Sequence, residues 1–343
     1  MFNEITNEWI MGPDKPFASC HASSLVMLPG GDILAVWFAG SREGADDSAI
    51  WCSRKPGGNS GGNWSQPLKI AAGVEEPCWN PVLMNLPGGE LLLFYKIGRL
   101  IKEWRTLYKI SKDKGRSWSE AKELVPGDRG GRGPVRNKVV VLADGTWIAP
   151  ASTEDGIWTS FADRSQDQGM TWQQSEDIGI AGIHRSDIQA VKSDIPVSEQ
   201  SFYGRGVIQP SVWESKPGNV HMLMRSSEGF IHRSDSQDGG IHWSAAYPTS
   251  VPNNNSGMDV VRMDDGTLVL CCNPVGINWG PRSPLVLMVS SDNGLTWTQE
   301  IVLEDGEGEF SYPAIIAHED RIYLTYTWKR DNIAYREFSR SSK

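Results

Sequence analysis

No run of about 20 apolar residues, the length a membrane-spanning helix needs, occurs in this chain. Its first residues, MFNEITNEWIMGPDKP, carry acidic groups and lack the apolar core of a secretion signal, so the expectation is a soluble, cytoplasmic protein with no membrane partner. Positive charge is scarce: 33 Lys and Arg stand against 42 Asp and Glu, a formal net charge of −9. Nucleic acid, whose phosphates demand a surplus of basic side chains, is not an expected partner. Cysteine is sparse as well. Cys20, Cys52, Cys78, Cys271 and Cys272 are odd in number, scattered and without CxxC spacing, and read as buried reduced thiols. Phosphate loops, dinucleotide fingerprints and metal-ligand clusters are missing, so neither a cofactor nor a metal is expected. Helical periodicity is nearly absent, which excludes βαβ architectures.

What the chain does have is turn chemistry and aromatic bulk, with 36 Gly, 20 Pro and 15 Trp. Two repeats organise them. The first is S-x-D-x-G-x-x-W, running Ser111 to Trp118, Ser165 to Trp172, Ser236 to Trp243 and Ser290 to Trp297, with a degenerate copy from Ser53 to Trp64. Its chemistry is that of a hairpin turn: Asp accepts from the turn backbone, Gly takes a positive φ and Trp buries its ring behind the loop. The second repeat is a turn followed by an alternating apolar run. LPGGDILAVWF, LPGGELLLFYK, LADGTWIAPAS, SKPGNVHMLMRS, RMDDGTLVLCCN and HEDRIYLTYTW recur at intervals of roughly 50 to 70 residues, the length of a four-stranded blade. A radial array of antiparallel sheets uses every copy, so the expected fold is all-β, a six-bladed β-propeller formed by residues 1–343 as one unit. The longest interval contains IHRSDIQAVKSDIPVSEQSFYGRG, too polar for a blade strand and expected to lie over the site as a loop. Within it His184, Tyr203 and Arg205 are candidate lid contacts.

Propellers place a ligand at one end of the axis, where inner strands and their loops converge. Candidate residues then fall at corresponding places of several repeats. Asp46 and Asp47 follow the first apolar run, Glu214 and Arg225 bracket the fourth hairpin, Arg282 precedes the last Asp-box and Tyr312 opens the final strand pair.

At these residues the sequence resembles the sialidase family, and the resemblance extends from HASSLVMLPGGDILAVWF to FSYPAIIAHEDRIYLTYTW. Sialidases use an Asp, a Glu, two later Arg and a Tyr in that chain order. The resemblance implies Asp46 or Asp47 as the acid/base, Glu214 as the base that takes the phenol proton, Arg225 and Arg282 as two members of a carboxylate-binding triad and Tyr312 as the nucleophile. A neutral phenol can approach a sugar acid whose carboxylate would repel a carboxylate nucleophile, which is why sialidases depart from the two-carboxylate rule. One position departs from the family: where the first triad arginine belongs, ASCHASSLVMLPGG offers His21, and neutral imidazole cannot make the bidentate contact of a guanidinium. Arg42 in GSREG, Lys96 in FYKIG and Arg136 with Lys138 in PVRNK follow inner runs and are candidates for the missing charge.

The function so implied is a glycoside hydrolase that removes a terminal acidic sugar, sialic or a related 2-keto-3-deoxy acid, from an oligosaccharide or glycoside. Two alternatives stand beside it. One is a lyase for uronate-containing glycans, with His21 and Tyr203 or Tyr312 moving the proton; the other is a glycan-binding propeller without catalysis.

Overall fold

The computed structural model describes residues 1–57, 62–197 and 199–341, the side chains of 199 and 200 excepted. Among these residues the chain forms 24 strands and three short 3-10 turns. The strands make six antiparallel units of four. The first is typical: Ser19–Met27, Ile33–Gly40, Ala49–Lys55 and Leu68–Ala72 pair in chain order. The units starting at Cys78–Asn85 and Asp259–Arg262 repeat this order. Units three and four, whose inner strands are Val140–Val141 and Arg205–Lys216, are joined edge to edge by a short parallel pairing of Ile157 with Arg205 and Trp158 with Gly206. In the sixth the strands Phe310–His318, Arg321–Trp328 and Asn332–Arg340 are completed by Phe2–Trp9 from the start of the chain, which clasps the ring shut.

Closure is visible in the packing. A separate apolar cluster fills each of the six interfaces between neighbouring blades: Val36, Phe38 and Ile50 meet Leu83, Leu93 and Tyr95 between the first and second, and the series ends with Tyr323 and Tyr335 against Leu25, Ala35 and Trp37 between the sixth and first. Because every blade is covered on both faces, second strands such as Ile33–Gly40 are buried at every position and read as continuous apolar runs.

The Asp-boxes join third strands to fourth strands. In the last copy Asp292 accepts the amides of Leu295 at 3.1 Å and Thr296 at 2.9 Å, Ser290 Oγ accepts the amide of Gly294 at 2.8 Å, and Trp297 Nε1 donates to the Gly294 carbonyl at 3.1 Å. The turn passes through Asn293 at φ 59° and Gly294 at φ 77°, so two consecutive residues take left-handed backbone. The degenerate copy from Ser53 to Trp64 lies partly outside the described residues.

The inner strands share a second device that positions the site. Ladder pairing slips at His21/Ser24, Trp79/Val82, Ile208/Ser211 and Ser311/Ala314, and the residue at each bulge is left-handed: Ala22 (φ 53°), Asn80 (39°), Gln209 (53°) and Tyr312 (53°). Such backbone costs about 1–3 kcal/mol per non-glycine residue. In three of the four the next residue is proline, Pro81, Pro210 and Pro313, which has no N–H to lose where the ladder is interrupted. The bulges turn Asn80, Gln209 and Tyr312 out of the pleat into one central chamber.

Hydrogen bonds from the turn amides and hydroxyls hold Asp292 down to about 2. A carboxylate depressed in the fold contributes stability above its unfolded value, and that contribution is lost as pH falls toward 2. Asp292→Asn is expected to lower the thermal midpoint at pH 7, with the gap from wild type closing as the pH approaches 2; a gap independent of pH would contradict this role.

Candidate functional site

The hairpin turns and Asp-boxes occupy one end of the ring; the bulges and the loops between second and third strands occupy the other. At that second end Arg225 closes its strand and Arg282 lies in the loop after Leu268–Cys272. Tyr312 sits between them. Its phenol oxygen accepts from Arg225 Nη1 at 2.6 Å, while Arg225 also donates to Asn255 Oδ1 at 2.9 Å and Gln209 Oε1 at 3.2 Å. The guanidinium carbons of Arg136, Arg282 and Arg225 stand 5.1, 5.2 and 5.8 Å from the Tyr312 ring centroid. The His21 ring lies 4.2 Å from it, and His21 Nδ1 is 2.9 Å from Thr327 Oγ1. Burial, and then Arg330, push His21 well below the usual imidazole range, so it is neutral.

Arg330 is the residue the sequence reasoning missed. It sits in the turn between the second and third strands of the last blade, beside the strand that carries His21; its Nε donates to Glu309 Oε2 at 2.8 Å and its Nη1 donates to Glu43. Arg282 Nη1 donates to the other Glu309 oxygen at 2.6 Å. Burial works against charge on Glu309, but Arg282 and Arg330 outweigh it and hold the carboxyl well below its usual range. Even so the acids do not saturate the cations. Among the described residues, Arg282 Nε and Nη2 and Arg330 Nη2 are buried N–H groups with no partner. Arg136 is buried beneath the tyrosine, and burial pushes it down to about 10. Four guanidinium groups thus face the two ion-paired carboxylates Glu43 and Glu309, a surplus that suits an anion.

The chamber is lined by His21, Asn80, Glu154, Gln209, Trp279 and Tyr312 among others, and its free volume is about 20 Å³. The long fourth-interval loop packs over it, with Val191, Ile195, Val197 and Phe202 seated on Trp158, Ile208 and Trp279. The loop expected over the site is therefore there, and a sugar ring reaches Tyr312 only when that loop is displaced. Outside it a groove of about 480 Å³ runs along Leu100, Lys102, Asp155, Trp158 and Tyr203.

Other expected site residues are placed elsewhere. Glu214 lies at the opposite end of its strand, where it accepts the amides of Ala143 and Gly218, each at 2.8 Å. Five strand residues beyond Gln209 is roughly 16 Å, so Glu214 is a turn cap and not the base for Tyr312. The side chain from that strand which reaches the chamber is Gln209, an amide. Asp46 is exposed and paired with Arg99 at 3.0 and 2.8 Å, and Asp47 closes its own loop by accepting from Ser41; the acid of that loop which reaches the chamber is Glu43. Lys96 is buried and donates to Thr106 Oγ1 and the carbonyls of Gly131 and Arg132, so it anchors a neighbouring loop, and burial pushes it down to about 7. Arg42 points to solvent, Lys138 pairs with Asp259 at 2.8 Å and Arg205 pairs with Glu228 at 2.8 Å. His184 sits at the start of a 3-10 turn, and Tyr203, more than half exposed, lines the outer groove. A signal for Asn80 and Gln209 was present in the sequence: Asn80-Pro81, Gln209-Pro210 and Tyr312-Pro313 stand at the same place in three blades.

Residues 31–324 match the BNR repeat-like domain. Among solved structures, a protein of unknown function from Dyadobacter fermentans superposes with a TM-score of 0.75 at 16% identity, covering 99% of each chain. The NanB sialidase of Streptococcus pneumoniae superposes at 0.69 with 12% identity over 97% of this chain and 70% of that one. The intramolecular trans-sialidase of Ruminococcus gnavus does so at 0.68 with 13% identity over 96% of each. Among curated proteins none matches. At these identities the structural likeness establishes the six-bladed propeller, and the match across most of the chain establishes membership: the protein belongs to the BNR repeat-like domain family, on the fold that sialidases share.

Proposed function

We propose that this chain is a glycoside hydrolase that removes a terminal acidic sugar, with the sugar carboxylate held by Arg225, Arg282 and Arg330 and the anomeric carbon placed over Tyr312. The observation that carries this reading is the set of unpartnered buried N–H groups on Arg282 and Arg330, which share Glu309, with Arg282 5.2 Å from the ring of a tyrosine whose oxygen is already bonded to Arg225. Buried guanidinium donors without acceptors are costly, and a carboxylate is the ligand that satisfies them in pairs. Arg330, arriving from the last blade, supplies the charge absent at His21.

A second reading is favoured by one contact. No carboxylate among the described residues is hydrogen-bonded to the Tyr312 oxygen, whereas neutral His21 packs against the phenol ring at 4.2 Å. A tyrosine and a neutral histidine beside arginines that neutralise a uronate carboxylate are groups suited to β-elimination. The products separate the two, because elimination leaves an unsaturated uronate that absorbs in the ultraviolet.

Turnover of aryl glycosides of sialic acid, deaminated sialic acid and Kdo, alongside uronate polysaccharides followed by absorbance, tests the proposal. Tyr312→Phe is expected to lower kcat by about 10³-fold or more with little change in binding; unchanged turnover would remove Tyr312 from the mechanism. Arg330→Lys, which keeps the charge and loses the fork, is expected to raise KM between about 10- and 100-fold, the worth of one charge-assisted hydrogen bond. A KM that stays at the wild-type value would take Arg330 out of the carboxylate site.

A further inference from the structure

Glu154 ends the second strand of the third blade, Trp147–Asp155, and borders three adjoining spaces: the central chamber, a small cavity behind it and the outer groove. Its neighbour Asp155 is paired with Arg185 at 3.1 Å and lies 3.8 Å from Lys102. The Glu154 carboxyl has no hydrogen-bond or ion-pair partner among the described residues, although the residue is half-buried. A carboxyl kept off the surrounding cations, at the mouth between a sugar-sized groove and a cationic chamber, has no structural employment.

We infer that Glu154 is the proton donor to the departing part of the glycoside, and that the groove along Leu100, Trp158 and Tyr203 receives that part. This deepens the hydrolase reading and rests on it. As the glycosidic C–O bond breaks, its electron pair passes to the leaving oxygen, which takes the Glu154 proton and departs as an alcohol. Tyr312 oxygen bonds to the anomeric carbon and its phenol proton passes to solvent. In the second half Glu154 carboxylate takes a proton from water, the hydroxide oxygen bonds to the carbon, and the tyrosine oxygen leaves and recovers a solvent proton. The net consumption is one water per glycoside. The groove suits a sugar because Tyr203, more than half exposed, stands there beside Lys102, Asp155 and Arg185.

The surroundings support a protonated acid. Burial, partly offset by Arg225 and reinforced by Glu43, pushes Glu154 up to about 7; Lys96 borders the cavity behind it, and Lys102, Asp155 and Arg185 border the groove. The acid form is present below that value and is lost as pH rises through it. Turnover that needs it therefore falls above about pH 7.

Glu154→Gln, compared with wild type on two glycosides of the same acidic sugar, tests the assignment. With an alkyl or sugar leaving group, which must be protonated, the variant is expected to lose about 10²-fold or more in kcat/KM; with a nitrophenyl leaving group it loses only several-fold, and the decline above about pH 7 disappears. Equal losses on both substrates, or none, would overturn the role of Glu154 while wild-type turnover left the hydrolase reading standing. Absence of turnover by wild type on either substrate would overturn both together.

Discussion

Four arginines share the centre of this ring with too little negative charge to neutralise them. Like charges at such spacing repel, and burial strips each of the water that would screen the repulsion, so the cluster persists only because the fold fixes the groups from several directions. Glu309 bridges Arg282 and Arg330, Glu43 holds the far side of Arg330, and Arg136 and Arg282 lean on the face of Tyr312. The uncompensated remainder is the feature on which the proposed preference for an acidic sugar rests: a neutral ligand would leave the orphan donors unpaired, whereas a carboxylate would complete them.

Geometry for this arrangement comes from the ring rather than from any local segment. Arg225 belongs to the fourth blade, Arg282 to the fifth, Tyr312 and Arg330 to the sixth and His21 to the first, so the site is assembled from four blades of a ring that the Phe2–Trp9 strand completes. The bulges that aim Asn80, Gln209 and Tyr312 inward are strained backbone at the chamber, and the apolar interfaces between blades hold them there. At the end that holds the turns and Asp-boxes, left-handed residues such as Asn293 shape hairpins instead, and Glu214 and the Asp-box aspartates accept turn amides and serve the scaffold.

Architecture was legible because the propeller writes its period into the chain. Glycine and tryptophan are needed at fixed offsets in each Asp-box, and apolar runs follow each inner turn, so blade number could be counted from Gly31 to Asp320. Arg225, Arg282 and Tyr312 were singled out by their placement beside repeats together with the chain order that resembles sialidases. Residues outside the repeat were not. Arg330 lies in a short turn with no motif around it, Glu43 is one acid among several in SREGADD, and Glu154 reads as the end of a strand. Glu214 misled because chain order and the resemblance assign a residue to a blade, while the distance along the strand decides the end of the ring. Only the second coordinate separates a turn cap from a catalytic base.

The central claim is that Arg225, Arg282 and Arg330 form one receptor for a carboxylate. Calorimetric titration of a 2-keto-3-deoxy sugar acid and of its methyl ester into the wild-type protein tests it most directly. The acid is expected to bind and the ester to bind about 10²-fold or more weakly, since the ester cannot accept two guanidinium forks. Equal affinity for the two would mean that the arginine cluster is not where the ligand's charge resides, and the account would fail.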